Sequence, residues 1–173
     1  PELSDLVPLY QRRLVDIQDH PEWVILKKNN SHSKYHGGLK NGAETWSVDG
    51  SSQGQSIKDV QTELESRGQI YISTWPTMFL GIYGDHIRIV RLIPINSEEV
   101  ELTAEWLFPK STLSNSKYKM ENVIDFGILV MNQDANISEV NQRGVYNLGK
   151  TSGVLMPEEY IIKKFHRYIK NKI

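Results

Sequence analysis

The sequence predicts an α+β domain, an antiparallel sheet followed by long C-terminal helices that cover it. Three observations predict it. Residues 100–108 alternate cleanly, with Val100, Leu102, Ala104, Trp106 and Phe108 facing one way and Glu99, Glu101, Thr103 and Glu105 the other, the period-two signature of a strand packed on one side. From about Glu121 the chain runs to Gly144 without proline or tight-turn signals. Pro157-Glu158-Glu159 then opens a final helix with proline at its first position and acids in its first turn.

In chain order, Leu6, Val7, Leu9, Leu14, Val15 and Ile17, interrupted by Pro8, suit an irregular packed segment with a helical turn after the proline. Residues 27–54 are rich in Lys, Asn, Ser and Gly, so strands there are expected to be short and joined by turns. Asn41-Gly42 and Asp49-Gly50 bracket 43–48, which reads as a short extended segment. Ile57, Val60 and Leu64 share a helical stripe over 56–66, and Gly68 supplies the stop. Strands are expected at 70–80 and, after a turn over 81–85, at 86–93. Together with 100–108 they form an antiparallel meander with one covered face. Ile161, Phe165, Tyr168 and Ile169 make the apolar stripe of the last helix.

With 173 residues, 39% of them apolar, the chain is one domain or a large piece of one and can bury a core. Twenty basic and 21 acidic residues leave a net charge of −1 without a basic block, which gives no case for nucleic acid or an anionic membrane. No apolar run approaches the roughly 20 residues of a spanning helix, and the opening Pro-Glu-Leu-Ser-Asp-Leu is no signal peptide. Cysteine is absent. These residues therefore hold no disulfide, thiolate zinc site, cysteine nucleophile or Cys-ligated iron–sulfur cluster. A cytoplasmic location is the default expectation.

Asp134 is the foremost chemical candidate. On a helix its face collects Gly127, Val130, Met131, Ile137, Ser138, Asn141 and Val145. A carboxylate among largely apolar neighbours needs a cation or donors to compensate it, and a divalent metal is one such compensation. The alternative is that Asp134 or Asn136 caps a fresh helix, since Asn136-Ile137-Ser138-Glu139 has capping-box spacing. His32 and His36 have the i, i+4 spacing of a helical metal pair, but Asn29-Asn30 and Gly37-Gly38 around them favour a solvated loop. His20, His86 and His166 are isolated and read as surface or satisfied structural residues. Arg88 and Arg91 are expected to face solvent or pair with the glutamates of the next strand. Trp75, Met78, Phe79, Trp106 and Met131 are either an apolar pocket lining or plain core.

The run Gln133-Asp134-Ala135-Asn136-Ile137-Ser138-Glu139-Val140-Asn141-Gln142-Arg143-Gly144 resembles the C-terminal signature of Rieske-type non-haem iron oxygenase α-subunits, the aromatic ring-hydroxylating dioxygenases. Gly153-Val154-Leu155-Met156-Pro157-Glu158-Glu159 and Phe165-His166-Arg167 continue the likeness. Leu39-Lys40-Asn41-Gly42-Ala43-Glu44-Thr45-Trp46-Ser47, Ile70-Tyr71-Ile72-Ser73-Thr74-Trp75-Pro76 and Ala104-Glu105-Trp106-Leu107-Phe108-Pro109 extend it upstream in the right order. The likeness is greatest to the branch with phenylpropionate-type dioxygenases and choline and carnitine monooxygenases.

That resemblance implies a helix-grip (START-like) fold and a mononuclear Fe(II) held by two histidines and one aspartate. Asp134 falls on the carboxylate ligand. It also implies a Rieske 2Fe–2S cluster, a reductase or ferredoxin donor drawing on NAD(P)H, O₂ with a small organic substrate, and a trimer. Residues 1–173 then form the C-terminal portion of the oxygenase catalytic domain. Pro1-Glu2-Leu3-Ser4-Asp5-Leu6 resembles what directly follows the second histidine ligand. Neither histidine ligand nor the cysteine-bearing cluster domain lies within the sequence, so this polypeptide by itself is expected to be inactive. Trp75, Met78, Val130 and Met131 are the expected substrate-pocket wall, with Trp75 and Trp106 candidates for a cage around a cationic substrate. The rival reading is a non-catalytic helix-grip module that holds a small apolar ligand under its long helix.

Overall fold

The structure, a computed structural model, describes residues 32–39, 42–57, 68–147, 153–156 and 159–173. The expected irregular segment over 1–20 and most of the expected helix over 56–66 lie outside the described residues. Five strands, β1 (His32–Gly38), β2 (Gly68–Thr74), β3 (Met78–Ile82), β4 (Ile87–Pro94) and β5 (Val100–Leu107), form one antiparallel sheet whose spatial order is the chain order. Three helices follow among the described residues: the single turn α1 (Lys110–Leu113), the long α2 (Met120–Asn147) and α3 (Tyr160–Lys170). The α+β class and the meander are as the sequence predicts.

Three local expectations need correction. Residues 70–80 are not one strand, because the ladder breaks at 75–77 between β2 and β3. Pro76 sits in that turn and has no N–H to give to a ladder. Residues 43–48 form bends rather than a strand, between Gly42 and Gly50 at φ 93° and 79°, a region that favours glycine. His32 and His36 lie on β1, opposite Thr74 and Ile70, rather than in a loop.

Register shows which side of the sheet the helix covers. Arg88 lies opposite both Gly81 and Trp106, and Val90 lies opposite Phe79 and Ala104. Residues directly opposite share a face, and the Trp106 indole lies against Gly127 of α2. The face with Tyr71, Phe79, Arg88, Val90, Ala104 and Trp106 is therefore the helix side. Its core is Tyr71, Tyr83 and Val90 from the sheet and its β3–β4 connection, with Val123, Phe126 and Val130 from α2, all buried. Positions 123, 126, 127 and 130 follow the helical i, i+3, i+4, i+7 stripe.

Two contacts set the course of α2. Gly127 meets Trp106, and the Tyr146 hydroxyl donates to Glu98 in the β4–β5 turn at 2.8 Å. The helix rises about 28 Å between those residues, and an extended chain from 98 to 106 covers roughly 26 Å. The helix thus lies along the whole β4–β5 hairpin. Only its first half is well covered, since Ile137, Val140 and Val145 are 62%, 59% and 64% exposed. Val100 and Leu102 at the same end of the sheet are exposed too, so the covered face promised by the β5 alternation is realised at Ala104 and Trp106. At the sheet margin α3 packs Phe165 and Tyr168 against Trp75, with ring centroids 5.9 and 5.6 Å apart.

Candidate functional site

Asp134 belongs to α2, one turn beyond buried Val130 and on the same stripe. The helix continues unbroken through it to Asn147, so the capping alternative for Asp134 and Asn136 falls away. Asp134 as a residue is exposed. Its carboxyl is nevertheless close enough to the covered face to lose hydration. That burial pushes its pKa up, while the positive charge of Arg88 pulls it down and loses.

Arg88 is the residue that sequence reasoning misplaced. Arg91 does face outward and pairs with Glu105 of β5, as expected. Arg88, three positions earlier, takes the opposite face and is only 5% exposed. Its register neighbour is Trp106 rather than a glutamate, and its guanidinium carbon lies 5.1 Å from the ring centre of Trp46. Nε and Nη1 are buried without a hydrogen-bond partner. The parity of Arg88 with Val90 and Trp106 was the available signal. It was obscured because β4 carries isoleucines on its other face as well.

Next to Trp46 lies a polar network that sequence reasoning also missed. Asp85 is buried and accepts from the Thr45 hydroxyl, His86 Nδ1–H at 2.8 Å, the Gln53 N–H at 2.8 Å and the Ser52 hydroxyl at 3.2 Å. Burial alone would raise its pKa, but the His86 hydrogen bond and charge, with Thr45 and Gln53, overcome this and hold it below the usual carboxylate range. His86 is stacked on Tyr83, with centroids 4.4 Å apart, which makes it a satisfied structural residue as expected. Tyr83 in turn stacks on Trp46, whose edge meets Phe126 of α2. The network locks residues 45–53 against the β3–β4 turn and fixes the Trp46 ring beneath Arg88.

The expected pocket residues do not gather in one place. Val130 is buried and Met131 half-buried on α2, within a turn of Asp134. Met78 pairs with Thr74 and Arg91, which puts it on the sheet face turned away from α2. Trp75 sits in the β2–β3 turn against α3, and Trp106 is on the helix side beside Gly127. His166 is exposed. No cluster of three or more His, Cys, Asp or Glu residues suited to a metal occurs among the described residues. A lone carboxylate does not make a two-histidine, one-carboxylate triad, so the described residues fit one member of that donor set and not the whole. No described helix is long and apolar enough to cross a membrane.

Comparison with known proteins agrees with this architecture. A glycine betaine monooxygenase oxygenase subunit, found in two strains of Pseudomonas aeruginosa, is 25% identical over 107 residues, covering 62% of this chain. The chain spans about a quarter of the length of these curated relatives. The family model for the ring-hydroxylating α-subunit catalytic domain matches residues 11–173, and with nearly the whole sequence inside that match the chain belongs to this family of oxygenases.

Proposed function

We propose that this chain is the part of an oxygenase α-subunit that contributes Asp134 as the carboxylate ligand of a mononuclear Fe(II). The observation that carries the reading is the place of Asp134: on the covered stripe of the long helix, where that helix begins to open to solvent. A carboxylate there is partly desolvated, the condition in which a divalent metal is a favourable partner. The whole protein then uses O₂ to oxidise a small organic substrate. Electrons come from NAD(P)H through a reductase or ferredoxin and a Rieske 2Fe–2S cluster, and the assembly is a cytoplasmic trimer. Val130 and Met131, within a turn of Asp134 on α2, are the expected pocket residues that this reading retains. The similarity to a glycine betaine monooxygenase subunit supports including methylated ammonium compounds beside aromatic ones.

One polypeptide with a single iron-ligating carboxylate holds iron weakly, so this chain by itself is inactive. The test is iron content and ferrous-iron-dependent O₂ consumption in the full-length protein. Asp134→Ala is expected to weaken iron binding at least about tenfold, the lower end of the range set by losing even an outer-shell partner. Unchanged iron stoichiometry in that variant would overturn the assignment. It would favour instead a non-catalytic module for a small apolar ligand, a reading motivated by the incomplete donor set among the described residues.

A further inference from the structure

The mechanism proposed above leaves Arg88 without a task, although its position is energetically unusual. A guanidinium is charged at any physiological pH. Burying one with donors unpaired is strongly unfavourable, so native proteins almost always give such a group a partner. Here the residue is 5% exposed, and Nε and Nη1 have no acceptor. One face is occupied by the Trp46 ring at 5.1 Å, and Trp46 is itself held between Tyr83 and Phe126. The cation is therefore positioned rigidly. Its register partners on the helix side are Gly81 and Trp106, neither of which has a side chain that accepts a hydrogen bond. Asp134 feels its charge, yet no ion pair joins the two among the described residues.

We propose that Arg88 is the receptor for the carboxylate of the protein's organic substrate, and that the substrate class is small organic acids. A neutral acceptor would satisfy the free donors but leave the buried charge. A carboxylate does both, through short charge-assisted hydrogen bonds. It would reach the guanidinium from beside Asp134, midway along α2, where the helix begins to open to solvent. Anchored there, the remainder of the substrate lies under α2 beside Asp134, which rests on the iron-ligand reading given above. The anchor itself does not depend on it.

Calorimetric titration of the full-length protein with phenylacetate and with phenylacetamide provides the test, since the pair has matched shape and differs in charge. The acid is expected to bind about tenfold or more tightly than the amide. Arg88→Gln should abolish that preference and Arg88→Lys should retain part of it. Equal affinity of the unmodified protein for acid and amide overturns the proposal without recourse to any variant. A preference that survives intact in folded Arg88→Gln overturns it as well. Iron-dependent O₂ consumption is read separately. Acid-selective binding without it would sink the oxygenase reading and leave the anion receptor standing, whereas oxygenase activity without acid selectivity would do the reverse.

Discussion

The contact between Gly127 and Trp106 can be probed by adding a single methyl group, Gly127→Ala. Two terms favour the substitution. Alanine is better than glycine inside a helix by about 1 kcal/mol, and a buried methyl gains at most about 0.8 kcal/mol. Against them stands the indole: a Cβ built at Gly127 would lie 2.6 Å from Trp106 Cζ2 and 3.3 Å from Cε2. Carbon atoms rest at about 3.5–4.0 Å, so the ring must retreat by roughly 1 Å. It has little room, because Trp106 lies beside buried Arg88 in the sheet register and an indole has no flexible end to swing aside. Overpacking of this kind costs about 1–3 kcal/mol, and the methyl's burial gain is not realised while the atoms overlap. The net expectation is destabilisation by about 0–2 kcal/mol, or a fall in Tm of up to roughly 8 °C for a chain of this size. Thermal unfolding followed by circular dichroism measures it. Trp106→Phe removes the offending ring edge, so the double variant should lose much less than the sum of the single ones. A Tm that rises in Gly127→Ala, or strict additivity in the cycle, would show that the indole does not anchor the helix.

Three further outcomes follow from the electrostatics. Asp85→Asn places amide hydrogens against existing donors and should cost about 3 kcal/mol, read by chemical denaturation. The Asp85 carboxyl is held below its unfolded value of 3.8, so its contribution is complete above that pH and is lost as pH falls below it. Asp49 behaves alike: hydrogen bonds from the Ser51 side chain and backbone, with help from Asn122 and Ser47, hold it at about 2, which places its part of the loss between pH 3.8 and 2. Melting temperature in the unmodified protein should therefore drop through that acid range, and less steeply in Asp49→Asn; parallel slopes would refute the assignment. Glu105→Gln, which breaks the exposed pair with Arg91, should change stability by less than about 1 kcal/mol, and a larger loss would show that the pair is not solvent-screened.

Much of the fold was legible because its signals are local. The alternation of β5, the uninterrupted run that became α2 and the proline-led start toward α3 each reside in a few neighbouring residues. The placing of Asp134 on the same helical stripe as Val130 was legible for the same reason, through helical phase. Arg88 was not, because β4 is apolar on both faces and the sequence does not say which parity a helix will cover. The Asp85 network was hidden differently. Thr45, Gln53 and His86 are brought together across about 30–40 residues, and only the closed β3–β4 turn makes their donors converge. The strand over 70–80 divided where proline removed a donor, a signal that the surrounding β-branched residues outweighed.

A sheet whose spatial order repeats the chain order also has a kinetic meaning. β2 through β5 are three successive hairpins within residues 68–107, so their pairing closes only short loops, and low contact order means rapid assembly. The long helix cannot join until that hairpin stack exists, because its seat is the groove beside Trp106 and the Trp46 ring. The carboxylate at Asp134 thus enters the field of the Arg88 guanidinium only when that helix docks. A late-docking helix leaves the Arg88 charge hydrated until it is enclosed, and the exposed second half of that helix, with few buried contacts, is the part expected to reopen first.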